Sequence, residues 1–275
     1  MTLGIVILTK DDSFVIASDK RVTGGTQSMT AHADSAEKIH KITDKCGMTI
    51  AGDAGTAVTI IDLFLKETKL ELVKRNSLEI SVTDVAEIFR KTAVEYYTRW
   101  FKDMTMREWV LNVKEDIIPY FRILLAGYDP DDSDGVNKCK IIEMSSYKRF
   151  APDNITGNFG AAGITTIAQY LLYRFYTTKQ EEASAAGLAA FCISETNSQD
   201  DAVGDEFQIA SFSKHSPFKF YSDSELSKIK RRCAELKTEL QLALVTTKRV
   251  KEEQHVKLTS NQNINIIKSH TKIPK

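Results

Sequence analysis

Thr2 follows Met1, and a small second residue is the condition for removing an initiator methionine. A threonine bared in this way holds its hydroxyl and its own α-amine about one hydrogen bond apart. The amine, with an ordinary pKa of about 7.7–8.0, can take the hydroxyl proton near neutrality without a histidine. Nucleophile and base then belong to one residue. Such a pair gains weight only with supporting groups of three types beside it: a carboxylate, an ammonium and a bare backbone N–H. Asp19 in Ser18-Asp-Lys-Arg-Val-Thr23, Lys38 in Ala36-Glu-Lys-Ile39 and Gly52 in Thr49-Ile-Ala-Gly-Asp-Ala-Gly55 supply these three types. Each stands at the end of an apolar run, so three sheet ends can bring them beside Thr2.

Other chemistries lack their residues. There is no GxGxxG after a strand, no GxxxxGK[ST] and no GxSxG elbow. Cys46, Cys139, Cys192 and Cys233 form no CxxC pair, and the histidines form no HxxxH motif, so neither a disulfide scaffold nor structural zinc is expected. The acidic loop Asp129–Gly135 has Asp134 where a calcium loop needs glycine and Lys140 where it needs glutamate. It reads as a solvated turn. No cofactor is expected.

The elements that must position these groups begin as strands. Gly4–Leu8 and Phe14–Ser18 flank the turn Thr9–Ser13 as a hairpin, and Lys38–Ile42 and Met48–Ala51 flank Asp44–Gly47 as a second. The period then changes to that of a helix over Thr56–Lys74 (Val58, Ile61, Phe64, Leu65, Leu72) and Thr83–Phe101 (Val85, Ile88, Phe89, Ala93, Tyr96, Trp100). Strands return at Phe121–Tyr128 and Lys138–Met144, helices at Thr166–Thr177 and Gln180–Glu195, and a last strand at Phe207–Phe212. Strands, two helices, strands, two helices and a strand fit a four-layer α/β/β/α sandwich, two antiparallel sheets face to face with helices outside. One domain would cover residues 2–221.

Residues 222–275 differ in kind. They carry twelve basic against six acidic residues, +6 in a chain whose net charge is zero. Leu226, Ile229, Cys233, Leu236, Leu240 and Ala243 recur in steps of three and four, the seam of an amphipathic helix. That helix either packs on its own domain or meets a neighbouring subunit. Beyond Lys248 the composition is polar and Asn-rich, a frayed tail. At 42% hydrophobic and 27% charged the 275-residue chain has ample core material. Its neutral balance argues against nucleic acid as the main partner. No apolar run reaches the roughly 18–20 residues of a membrane span. The opening MTLGIVILTKDD lacks a secretory pattern, so the expected location is the cytoplasm.

Thr2-Leu-Gly-Ile-Val, Ile16-Ala-Ser-Asp-Lys-Arg-Val-Thr23, Glu37-Lys-Ile and Gly47-Met-Thr-Ile-Ala-Gly-Asp-Ala-Gly55 together resemble the N-terminal-nucleophile hydrolases of the proteasome β type, which include the HslV and Anbu peptidases. The resemblance covers residues 2 to about 213 and is strongest in the first 60. A rival alignment of Gly4 puts Met1 near the nucleophile's place and leaves no nucleophile. The first alignment implies that Thr2 Oγ attacks a peptide carbonyl, that Lys38 holds positive charge beside it, that Asp19 fixes Lys38, and that the Gly52 N–H receives the oxyanion. Arg21 resembles the family's structural arginine. Val22, Ala36, Ile50 and Ala54 would line the pocket for the residue before the scissile bond, with His40 at its rim, favouring an apolar side chain.

Two departures stand out. The family's Gly-Ser-Gly turn ahead of its third helix reads Gly160-Ala-Ala-Gly163-Ile-Thr-Thr166 here, with Thr165 the nearest hydroxyl. In Ser198-Gln-Asp-Asp-Ala-Val-Gly204 the acid is Asp200, but Val203 stands where a serine is expected. The resemblance implies a threonine peptidase acting on peptides or unfolded proteins within a homo-oligomeric ring, with an ATPase or activator as a possible further partner. A peptide ligase using the same acyl-threonine, and a non-catalytic subunit of the same fold, remain as alternatives.

Overall fold

The computed structural model describes residues 2–26, 29–101, 104–115, 117–129, 138–178 and 180–243. Met1, most of the acidic loop (130–137) and the tail from 244 onward lie outside the described residues. The chain forms two compact units, Met1–Ile229 and Lys230–Lys275. In the first, the strands are β1 (Leu3–Leu8), β2 (Phe14–Asp19), β3 (Val22–Thr26), β4 (Met29–Ala33), β5 (Ile39–Thr43), β6 (Cys46–Gly52), β7 (Phe121–Asp129), β8 (Lys138–Ser145), β9 (Asp153–Asn154), β10 (Phe159–Gly163), β11 (Phe207–Phe212) and β12 (Lys219–Phe220). The helices are α1 (Ala54–Arg75), α2 (Val82–Trp100), α3 (Met106–Lys114), α4 (Thr166–Phe175) and α5 (Glu182–Asn197). The expected C-terminal helix runs over 223–243.

Two antiparallel five-stranded sheets result, ordered β10-β1-β2-β11-β12 and β5-β6-β7-β8-β9, with β3-β4 as a separate hairpin. The two hairpins read from the sequence fall in different sheets. Alternation along β7 explains the layering: Ile123 and Leu125 face α1 and α2, where Phe64 meets Phe89 at 5.2 Å, while Leu124, Ala126 and Tyr128 face the other sheet. Between the sheets Val6, Phe14, Ile16 and Phe212 complete the core, with Phe14 and Tyr128 edge to face at 5.3 Å. On the far side α4 and α5 cover the first sheet. The α5 sequence allows close approach, since Ala185, Ala186, Ala189 and Ala190 are four of its seven fully buried positions. This is an α+β sandwich.

Several expectations change. The stretch before α4 is not a turn but β10, whose residues 160–163 pair with β1 from Val6 back to Leu3. Its glycines and alanines hide the strand signal, yet they let β10 lie close under the second sheet. The nine-residue helix α3 is too short to repeat its period, and the β3-β4 hairpin carries too few bulky apolar residues to show one. Val58 and Trp100, placed on apolar helical stripes by spacing, are 60% and 72% exposed.

Candidate active site

The end of β2 is the hub. Asp19 is wholly buried, and its Oδ1 accepts from Leu3 N at 2.8 Å. Its Oδ2 accepts from Lys38 Nζ at 3.0 Å, Arg21 N at 2.9 Å and Gly204 N at 3.1 Å. A carboxylate at this depth stays ionised only with such partners: one cation and three N–H groups. The same side chain therefore fixes Lys38 and the peptide that follows Thr2. Lys38, 4% exposed, also donates from Nζ to the Arg21 carbonyl. Burial holds its ammonium below the ordinary 10.5, against the opposing pull of Asp19. In the amide orientation that satisfies both, Gln208 Oε1 of β11 accepts from Lys38 N at 2.6 Å and Ile39 N at 3.2 Å.

Thr2 is anchored from the other side. Its carbonyl accepts from Ile164 N at 3.0 Å, just after β10. Gly163, at φ 94°, makes that approach possible, because a Cβ there would overlap the Thr2 carbonyl oxygen. Ser18 Oγ donates to the Leu3 carbonyl at 3.2 Å. Gly52 ends β6 at φ 126°, where a Cβ would run into the Tyr120 carbonyl. That carbonyl accepts from Asp53 N at 2.8 Å, and Asp53 Oδ1 in turn accepts from Thr56 N at 2.7 Å as the N-cap of α1. The positive end of a 22-residue helix thus opens directly after Gly52.

Thr2, Lys38 and Gly52 border one cavity of about 410 Å³. Val22, Ala36, His40, Ile50 and Ala54 line it too, joined by Glu37, Ala57 and Val58. The exposure of Val58 follows from this position on the cavity wall. His40 Nε2 is buried without a hydrogen-bond partner, and burial lowers the ring's pKa below 6.5 despite Glu37 and Asp62. The imidazole is therefore neutral at neutral pH. Asp200 does not border the cavity. Its carboxylate accepts from Ala202 N at 2.9 Å and shapes the loop whose Gly204 N–H reaches Asp19. Val203 is buried, and its carbonyl accepts from Asn197 Nδ2 at 2.7 Å and Arg21 Nη1 at 3.3 Å. Arg21 grips Asp34 with two bonds of 2.8 and 2.9 Å, tying this loop to the end of β2. Thr165 stands at the N-cap of α4 but makes no side-chain cap.

Sequence reasoning missed Gln208, Gly204 and Gly163. They act through an amide or bare backbone rather than ionisable chemistry, and only the Gly160-Ala-Ala-Gly163 turn read ahead of α4 pointed toward one of them. Among the described residues no cluster of His, Cys, Asp and Glu could hold a metal ion, and no helix is long and apolar enough to cross a membrane.

Comparison with known families decides the kinship. Residues 2–212 match the proteasome subunit family. The chain belongs to that family. It is 37% identical over 87 residues to a proteasome subunit beta of Methanocorpusculum labreanum, covering 32% of this chain and 38% of that one. A proteasome subunit beta of Methanocaldococcus jannaschii is 39% identical over 69 residues, 25% of this chain and 28% of the relative. The match to the subunit of Methanocaldococcus fervens is longer, 25% identity over 234 residues, 83% of this chain and 87% of that one. The first two matches thus span well under half of those relatives. As a proteasome-family chain it has the family's sandwich, with the cavity at the mouth of the two sheets.

Proposed function

We propose that this chain is an N-terminal-threonine peptidase subunit, with residues 2–221 as the catalytic domain and 222–275 as a basic extension. The observation that carries the reading is the junction of Thr2, Lys38 and Gly52 on one cavity with Asp19 beneath it. After loss of Met1, Thr2 Oγ attacks the substrate carbonyl carbon, and its proton passes through a water to the Thr2 α-amine. Lys38 keeps positive charge beside both groups, which lowers the amine's proton affinity and steadies the incipient alkoxide. The oxyanion lies at the Gly52 N–H, near the N-terminus of α1, a donor whose loss costs about 3 kcal/mol in other hydrolases. Collapse expels the amine product with the proton returned from the α-ammonium, and water then cleaves the acyl-threonine. Asp200 acts by shaping the loop that presents Gly204. Val22, Ala36, Ile50 and Ala54 favour an apolar side chain before the cleaved bond. Substrates are peptides or unfolded proteins, and the assembly is a homo-oligomeric ring in the cytoplasm.

A second reading, a non-catalytic subunit, draws on Val203 and the serine-free Gly160–Gly163 strand, which lack the two serine hydroxyls that support the amine in the family. Peptide hydrolysis separates the two. A fluorogenic peptide with an apolar residue before the reporter is cleaved by the wild type and not by Thr2→Ala; equal rates in both would remove Thr2 from the chemistry. Adding an amine peptide tests the ligase alternative through the ratio of transfer to hydrolysis.

A further inference from the structure

A second cavity, of about 270 Å³, opens where α2 and α3 meet the turn after β8. It shares no lining residue with the Thr2 cavity. Tyr97, Phe101, Trp109 and Phe150 form its aromatic walls, with Tyr97 at 5.1 Å from Phe150 and 5.7 Å from Trp109. Tyr97 and Phe150 are wholly buried and Trp109 nearly so, which leaves the half-buried Val94, Phe101 and Met104 as the apolar side chains a ligand ring can reach. The volume lies just under the roughly 300–1,000 Å³ of drug-sized sites, which fits a single-ring ligand.

One cation borders this apolar space. Arg149 stacks over Trp109 with its guanidinium carbon 4.7 Å from the ring centroid. It donates from Nη2 to the Met104 carbonyl, its Nε is buried without a partner, and among the described residues no carboxylate pairs with it. Neighbouring cations differ: Arg90 is paired with Glu87 and Arg99 with Glu95. The backbone that presents Arg149 is unusual as well, since Arg149 and Phe150 are consecutive non-glycine residues in the left-handed region, at φ 47° and 58°. A half-buried guanidinium whose Nη1 makes no bond among the described residues, held over an indole by a strained turn, is a donor for a planar anion.

We propose that this cavity binds a small arylalkyl carboxylate, its ring against Val94, Phe101 and Met104 and its carboxylate on Arg149. A monoanion suits the site better than a phosphate, because Arg149 is the one cation among the described lining residues, most of which are apolar.

The test uses the purified full chain carrying Trp100→Phe, which leaves Trp109 as the sole tryptophan reporter. Titration with 3-phenylpropanoate changes Trp109 fluorescence saturably and gives a calorimetric Kd about tenfold or more tighter than 3-phenylpropanamide, the margin of about one charge-assisted bond. Arg149→Gln removes the preference for the acid while leaving amide binding in place. Val94→Trp, at the cavity wall, blocks both ligands. Thermal unfolding checks each variant, and the acid-against-amide comparison needs no change at Arg149 at all. Equal affinity for acid and amide, no saturable change at millimolar ligand, or an acid preference surviving in folded Arg149→Gln would overturn the proposal.

Discussion

Lys38 and Asp19 are the pair whose energetics are most exposed to test. Replacing Lys38 by methionine leaves the Asp19 carboxylate wholly buried with N–H donors but no counter-charge. Unfolding in denaturant is expected to show a loss of about 3–5 kcal/mol, and Asp19→Asn on top of Lys38→Met recovers much of it. If the single variant is as stable as the wild type, the Lys38–Asp19 pair does not hold the fold together. His40 makes the second residue-scale prediction. Burial depresses its pKa below 6.5, so in the window beneath 6.5 the unfolded chain binds more protons than the native one. Stability therefore falls as pH drops through that window toward the native value. His40→Gln flattens the fall, read as the difference in Tm between pH 7 and pH 5 for the two proteins.

At the scale of elements, two glycines respond in opposite directions. Gly163→Ala forces a Cβ onto the Thr2 carbonyl at φ 94° and displaces β10 from β1, so both stability and any Thr2 reactivity drop. Gly187 lies inside α5, and a Cβ there meets nothing within 4 Å. Gly187→Ala is expected to stabilise by about 0.5–1 kcal/mol, since only helix propensity changes. Denaturant midpoints of the two variants check both signs. The same elements show what was legible in the sequence. The strands β1, β2, β6, β7 and β11 were visible because each is a continuous apolar run buried on both faces. β10 was not, because Gly160, Ala161 and Ala162 have no side-chain bulk with which to announce a period. Thr2, Lys38 and Gly52 could be named from residue type and position at run ends. Gln208 and Gly204 could not, because their contribution arises only when β11 and its preceding loop fold against β2.

At the scale of the whole molecule, α4 turns Tyr170, Tyr173 and Phe175 outward with 67%, 79% and 54% of their surface exposed. If the chain assembles into the proposed ring, these exposed aromatics are expected to lie in a subunit contact. In the ring reading, Tyr170→Glu with Tyr173→Glu yields a folded protomer that sediments as a monomer, whereas the wild type sediments as a larger particle. An unchanged particle would move the contact elsewhere. The reading as a whole turns on whether Thr2 becomes a free, reactive N-terminus. Intact-mass spectrometry before and after treatment with a peptide epoxyketone, which needs both the hydroxyl and the amine of one residue, asks this directly. The expected result is a chain lacking Met1 that gains one equivalent of inhibitor, a gain lost in Thr2→Ala. Retained Met1, or a mature folded chain that gains nothing, would contradict it.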